Sequence, residues 1–169
     1  SYLSSELNAY KVFALPDWET LPYDSFSPHQ DIISDRLATL FSLPRMQRGI
    51  VVTSVSSLMH LLPPRQYIDA NSLDLARGQK QALSDLREQM AIAGYQHVTT
   101  VMEHGEFAVR GSIVDIFPMG TALPLRIDLF DDEIDSIRRF DPETQRSATT
   151  VERVCLLPGR EFPLDESGI

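Results

Sequence analysis

Apolar residues switch spacing once along this 169-residue chain, and that switch limits the folds open to it. Up to residue 62 the order reads strand, helix, strand, helix. KVFAL (11–15) and GIVVTS (49–54) are apolar runs of the kind buried in a parallel sheet. From His29 onward Ile32, Ile33, Leu37, Leu40 and Phe41 recur on one helical face, and Pro44 ends the helix. SVSSLMHLL then reads as a short helix with Ser54 as its N-cap. PDWETLPYDSFSP (16–28) carries three prolines and reads as a loop with aromatic anchors. Alternating strands and helices are the grammar of a βαβ unit.

After Pro63-Pro64 the grammar changes. SLDLARG is a short alternating strand, and QALSDLREQMAIAG is an amphipathic helix with Leu83, Leu86, Met90 and Ala93 inward and Gly94 as its C-terminal cap. Strand patterns follow at 97–102, 106–117, 124–130, 134–140 and 149–157, joined by tight links such as DDE (131–133) and DPET (141–144). An antiparallel meander packed on a helix accounts for them. The expected class is α/β followed by α+β: a βαβ unit, then a helix on a mainly antiparallel sheet. Pro158, Gly159 and Pro163 give the last dozen residues the look of an exit linker.

Composition excludes several functions. Acidic residues outnumber basic ones 24 to 15, a net charge of −9 that disfavours nonspecific nucleic-acid binding. Only Lys11 and Lys80 are lysines, and the other thirteen bases are arginine, the cation suited to bidentate protein contacts. A single cysteine, Cys155, lies in the apolar run VCLL, so an internal disulfide framework is excluded and a reducing, cytoplasmic setting is expected. No apolar run approaches the ~20 residues of a membrane span. No charged-then-apolar leader opens the sequence, and no membrane partner is expected.

Chemistry-bearing motifs are sparse. FDDEID (130–135) invites a metal reading, but the strand before it alternates with charges and another follows at once, so a hairpin turn explains it better. No GxxxxGK[ST] loop and no GxSxG elbow occur. His29, His60, His97 and His104 have no ligand spacing, and no catalytic residue, cofactor or metal is expected. In LRIDLF (125–130), Leu125, Ile127 and Leu129 define a core face, leaving Arg126, Asp128 and Phe130 on the other. A three-residue turn would add Ile134, Ser136 and Arg138 to that outer face. Phenylalanine with arginines on an outward face has the composition of a protein-binding hot spot.

HGEFAVRGSIVDIFP (104–118) is less simple. Read as one strand, it puts Phe107, Val109 and Ile113 on one side and Ala108 and Arg110 on the other, with the phase switching at Val114. Arg110 admits four readings: solvated charge, buried ion pair, phosphate contact or docking residue.

DWETLPYDSFSPHQDIISDRLATL (17–40), GIVVTSVSSLMHLLPP (49–64), GEFAVRGSIVDIFP (105–118) and LFDDEID (129–135) together resemble the N-terminal region of the bacterial transcription-repair coupling factors, the Mfd family. The resemblance runs in order along essentially the whole chain. UvrB, a nucleotide-excision-repair protein, shares the F-x-V-R-G and D-E-I patterns but carries a long tyrosine-rich DNA-gripping hairpin where this chain has a short proline-broken loop. The resemblance implies that residues 1–69 are the latter part of domain 1a, an ATPase-like fold without a working nucleotide site. It makes 70–157 domain 2, a UvrA-binding module, and 158–169 a linker toward domain 1b. It places UvrA binding on Arg110, Arg126 and Phe130, while Asp128 and Arg138 share the outward surface read above. The implied function is a monomeric, non-catalytic adaptor that recruits UvrA to stalled RNA polymerase, with polymerase and double-stranded DNA bound by other modules. The alternative is a nucleotide- or DNA-binding fragment of a helicase-like ATPase. Replacing Arg110 or Arg126 by glutamate is expected to abolish a UvrA complex and leave thermal unfolding nearly unchanged.

Overall fold

The computed structural model describes residues 11–19 and 29–162, so 20–28 of the proline-rich loop and 163–169 of the tail lie outside the described residues. Strands β1 (Lys11–Leu15) and β2 (Gly49–Thr53) pair in parallel from Lys11↔Gly49 to Leu15↔Thr53. Parallel neighbours need a crossover of a dozen residues or more, and helix α1 (Gln30–Ser42) lies within it. His29 caps α1, its Nδ1 accepting from the Asp31 amide. Thr39 Oγ1 donates to the Ala14 carbonyl at 2.6 Å and ties α1 to β1. Leu37 is fully buried, with Ile33, Leu40 and Phe41 packed around its cluster. Helix α2 (Val55–Met59) starts at Ser54, whose Oγ accepts from the Ser57 amide at 3.1 Å, as the sequence suggested.

Two expectations fail in this half. Both apolar runs were expected to be buried, yet Val12, Ile50, Val51 and Val52 are exposed. Only Leu15, at the end of β1, is buried. Periodicity reports that a strand is apolar on both faces and cannot report whether both faces are covered.

Helix α3 (Arg65–Ala70) then leads into the second region. Its main sheet has six strands in the order β4 (Gln96–His97), β5 (Glu106–Arg110), β6 (Ile113–Ile116), β7 (Leu125–Phe130), β8 (Glu133–Phe140) and β9 (Ser147–Val151). All neighbours are antiparallel except β4–β5. A separate antiparallel pair joins β3 (Leu73–Ala76) to β10 (Arg153–Leu156), with Leu73 opposite Leu156. Helix α4 (Leu83–Ile92) buries Leu86 and Met90 against Phe107, Val114, Ile116, Leu125, Ile127, Leu129, Ile134 and Ile137. This cluster, closed by Leu75 and Leu156, is the core. Gly94 caps α4 at φ +91°. Its amide donates to the Ala91 carbonyl and the Tyr95 amide to the Met90 carbonyl, a Schellman arrangement that satisfies the last carbonyls.

Three strand patterns divide differently from the sequence reading. Only Gln96 and His97 of the 97–102 pattern's neighbourhood pair as strand. Residues 106–117 are a hairpin, turning at Gly111 (φ +61°) and Ser112 so that Arg110 faces Ile113 and Val109 faces Val114. The phase switch at Val114 was the turn itself, and Ile113 lies on the Arg110 side. The 149–157 pattern splits at Glu152, with β9 in the large sheet and β10 on β3.

The two regions meet along α1. Residues 158–162, read as linker, fold back so that Glu161 is buried against fully buried Arg36 at 2.8 Å. Trp18 Nε1 also donates to Glu161 at 2.8 Å, and Arg36 Nη1 to the Pro16 carbonyl at 2.6 Å. Nearby, the Gly120 amide donates to Ser34 Oγ, and His104 bridges Asp31 and the Thr121 carbonyl.

Candidate functional site

With the inner face of the six-stranded sheet filled, its outer face carries the polar residues. The register aligns Ala108, Asp115, Arg126, Arg138 and Thr150 in one cross-strand row. Arg110, Ile113, Asp128 and Ser136 form the next row toward the hairpin tip, and Phe130 lies beyond them. At the far end the face is covered by a small apolar cluster of Val101, Ala108, Phe117 and Phe140, with Val98 against it. The other end is open. Phe130 there is 75% exposed, so it does not tuck beneath the turn.

Asp115 marks the seam between the covered and open parts. Its side chain is only 2% exposed, and a carboxylate that buried must be paired. Arg126 supplies two charge-assisted bonds, Nε to Oδ1 at 2.6 Å and Nη2 to Oδ2 at 2.8 Å. Arg110 Nη2 donates to Oδ2 from the other side. Arg110 and Arg126 therefore share one carboxylate and lie on the same face.

The two arginines differ in exposure. Arg126 is 15% exposed; its Nη1 donates to the Gln145 carbonyl at 3.2 Å, and its guanidinium stacks 4.6 Å over Phe140. Hydrogen bonding to Asp115 raises its pKa above the ordinary arginine value. Arg110 is 53% exposed and uses one nitrogen on Asp115. Of the four readings of Arg110, the structure selects an ion pair that is also half in solvent. Arg126 is not the freely exposed side chain that the strand pattern suggested. Its replacement by glutamate would place two carboxylates together in a largely buried position, so a loss of stability is the expected outcome in place of thermal neutrality.

Asp128 and Arg138 lie on the same face, 3.5 Å apart. Ser136 joins them, whereas Ile134 does not. A bulge between Asp128 and Leu129 inserts Asp135, so Ile134 pairs with Leu129 and is fully buried. The turn is Asp131-Asp132 with Asp131 at φ +53°, so FDDEID is a hairpin. Sequence reading missed Asp115, Gln145 and Phe140. The available signal for Asp115 was an acid inside the apolar run IVDIF with an arginine nearby.

A second polar cluster sits at the carboxyl ends of β1 and β2, where open α/β sheets place ligands. Asp17 accepts from Ser56 and from Ser54 (3.3 Å), which hold its carboxyl below the usual range, the Ser56 bond contributing most. His60 Nδ1 stands 4.0 Å from the same carboxyl and stacks on Trp18. Both serines donate to the Asp17 carboxylate, and no hydrogen bond among the described residues joins either to the imidazole. Burial and the neighbouring Asp74 push the half-buried Cys155 thiol upward, opposing thiolate chemistry. No group of His, Cys, Asp or Glu among the described residues is arranged to hold a metal ion, and no described helix is long and apolar enough to cross a membrane.

A family model described as the UvrB interaction domain matches residues 73–162, from the first residue of β3 to just beyond Glu161. The chain is 52% identical over 165 residues to the transcription-repair-coupling factor of Escherichia coli (strain K12), covering 98% of this chain and 14% of the relative. It is 51% identical over 169 residues to that of Haemophilus influenzae, covering 100% of the chain and 15% of the relative. Against the Myxococcus xanthus factor the identity is 36% over 161 residues, 95% of the chain and 13% of the relative. The chain thus spans about one seventh of the length of the curated relatives it matches.

Proposed function

We propose, from the premise that this chain belongs to the UvrB interaction domain family, that it is a non-catalytic adaptor binding UvrA through the outer face of its six-stranded sheet. Within a complete coupling factor it would recruit UvrA to RNA polymerase stalled at damage, polymerase and DNA being held by other parts. On the same reading residues 1–69 are the latter part of domain 1a, 70–157 are domain 2, and 158–169 lead toward domain 1b. The fragment works as a monomer in the cytoplasm.

One observation carries the proposal: an open sheet face presents Phe130, 75% exposed, beside an arginine pair anchored on a single buried carboxylate. Aromatic and arginine side chains dominate protein interfaces because they bury much area and donate several oriented hydrogen bonds. An anchored arginine also loses less freedom on docking than a loose one.

Titration calorimetry of the chain against UvrA tests this. Arg110→Glu and Phe130→Ala are each expected to weaken binding by about 30-fold or more, with the melting temperature within about 2 °C of the parent because Phe130 is largely exposed and Arg110 half exposed. Arg126→Glu is expected to lose binding and also about 2–4 kcal/mol of stability, because it leaves Asp115 buried beside a new carboxylate. Undiminished affinity in both the Arg110 and Phe130 variants overturns the proposal.

A further inference from the structure

We propose that Asp115 is the positioning residue of the docking face: it touches no partner, but fixes Arg110 in its outward pose while Arg126 braces Asp115 from behind. This rests on the adaptor reading above and divides the labour among its residues.

The division follows from donor use. Arg126 spends Nε and Nη2 on Asp115, Nη1 on the Gln145 carbonyl, and lies over the Phe140 ring. Little of its donor capacity points outward. Gln145 is itself held, its side chain donating to the Pro142 carbonyl at 2.7 Å in a turn that Asp141 Oδ1 closes through the Glu143 and Thr144 amides. Arg126 is therefore a fixed group in a rigid corner, and Asp115 is locked to it through two oxygens. Arg110 comes from the next row of the sheet and reaches Asp115 with one nitrogen, and no other partner is recorded for it among the described residues. With its side chain 53% exposed, its remaining N–H groups are open to solvent. A long exposed arginine ordinarily samples many rotamers, and ordering it costs binding free energy. Asp115 removes that cost before the partner arrives. The partner chemistry that fits is a carboxylate or carbonyl reaching Arg110 beside an apolar pocket for Phe130.

The test is a thermodynamic cycle on the intact chain with purified UvrA, using Arg110→Ala, Asp115→Asn and the double variant. Arg110→Ala alone is expected to weaken binding strongly. Asp115→Asn keeps the shape but loses the charge, and is expected to weaken binding about tenfold. In the double variant the two losses are expected to overlap and fall well short of multiplying, because Asp115 acts through Arg110. Fully multiplicative losses, or wild-type affinity in Asp115→Asn while Arg110→Ala still binds poorly, overturn the positioning role. Wild-type affinity in Arg110→Ala overturns the adaptor reading instead, so the two failures are distinguishable. A second measurement needs no variant of Asp115. In the free parent protein the Arg110 side-chain NH resonance is expected to show restricted motion, unlike Arg153, which pairs with Asp74 in the open. Equal mobility of the two overturns the proposal even if Asp115→Asn fails to fold.

Discussion

Two of the sheets among the described residues, the parallel pair and the six-stranded sheet, expose different kinds of surface. The parallel pair β1–β2 leaves Val12, Val51 and Val52 in the open, continuous in sequence with exposed Val55, Leu58, Met59, Leu61 and Leu62. No charge lies in the run GIVVT. The outer face of the six-stranded sheet instead sets one aromatic among arginines and aspartates, several of them paired with one another. Parallel strands are ordinarily covered on both faces, whereas an antiparallel sheet can keep one face in water. Exposed apolar area therefore means something different in each region. In the first it is sheet without a cover. In the second it is a single anchor, Phe130, in a solvated and oriented polar field.

The largest effect that would break the contrast lies at the junction. Among the described residues, Glu161→Ala leaves fully buried Arg36 with only the Pro16 carbonyl and the Trp18 ring, and is expected to cost about 3–5 kcal/mol. Chemical denaturation measures this. Hydrogen exchange should show β1 and α1 losing protection before α4 and β7, and equal loss in both regions would mean they form one cooperative unit. Next, Leu86→Ala in the filled core is expected to cost about 2–5 kcal/mol, against no more than about 0.5 kcal/mol for Val52→Thr on the bare strand. Comparable costs would show that the β1–β2 face is covered in solution. Below the Leu86 effect, Gly94→Ala is expected to cost about 1–2 kcal/mol in thermal unfolding. The glycine sits at φ +91°, and an added Cβ would meet Arg160 Cγ at 2.8 Å.

Local chemistry was legible in the sequence wherever it was decided locally. The Ser54 cap, the Gly94 cap and the inward set Leu125, Ile127 and Leu129 all follow from spacing and turn chemistry, and the structure has them, while the DDE hairpin turns on two residues, Asp131-Asp132, where three were expected. What escaped was decided across strands. Gly111-Ser112 is a glycine-first hairpin dipeptide, but apolar residues continue on both sides of it, so one hairpin read as one strand with an odd phase. The bulge that turns Ile134 inward adds a residue that no alternation pattern announces. Asp115 went unread because its partners lie on the same hairpin and on the next strand, five and eleven residues away. Arg126 was placed on the correct face but with the wrong exposure, since the Phe140 ring and the Gln145 turn that enclose it come from β8 and the loop beyond. Pattern gives the side of a sheet, and burial depends on what the rest of the chain lays over it.

The pairing of Leu73 with Leu156 has a topological consequence. The chain enters the larger sheet's module at β3 and leaves it at β10 as neighbours in a single ladder, so residues 77–152 hang from one two-stranded stem. A module entered and left at one point can be accommodated in a host fold at little cost to the host's own chain path. Its outer face lies on the sheet rather than on the stem. Among the described residues the stem leaves the Phe130 end of that face uncovered.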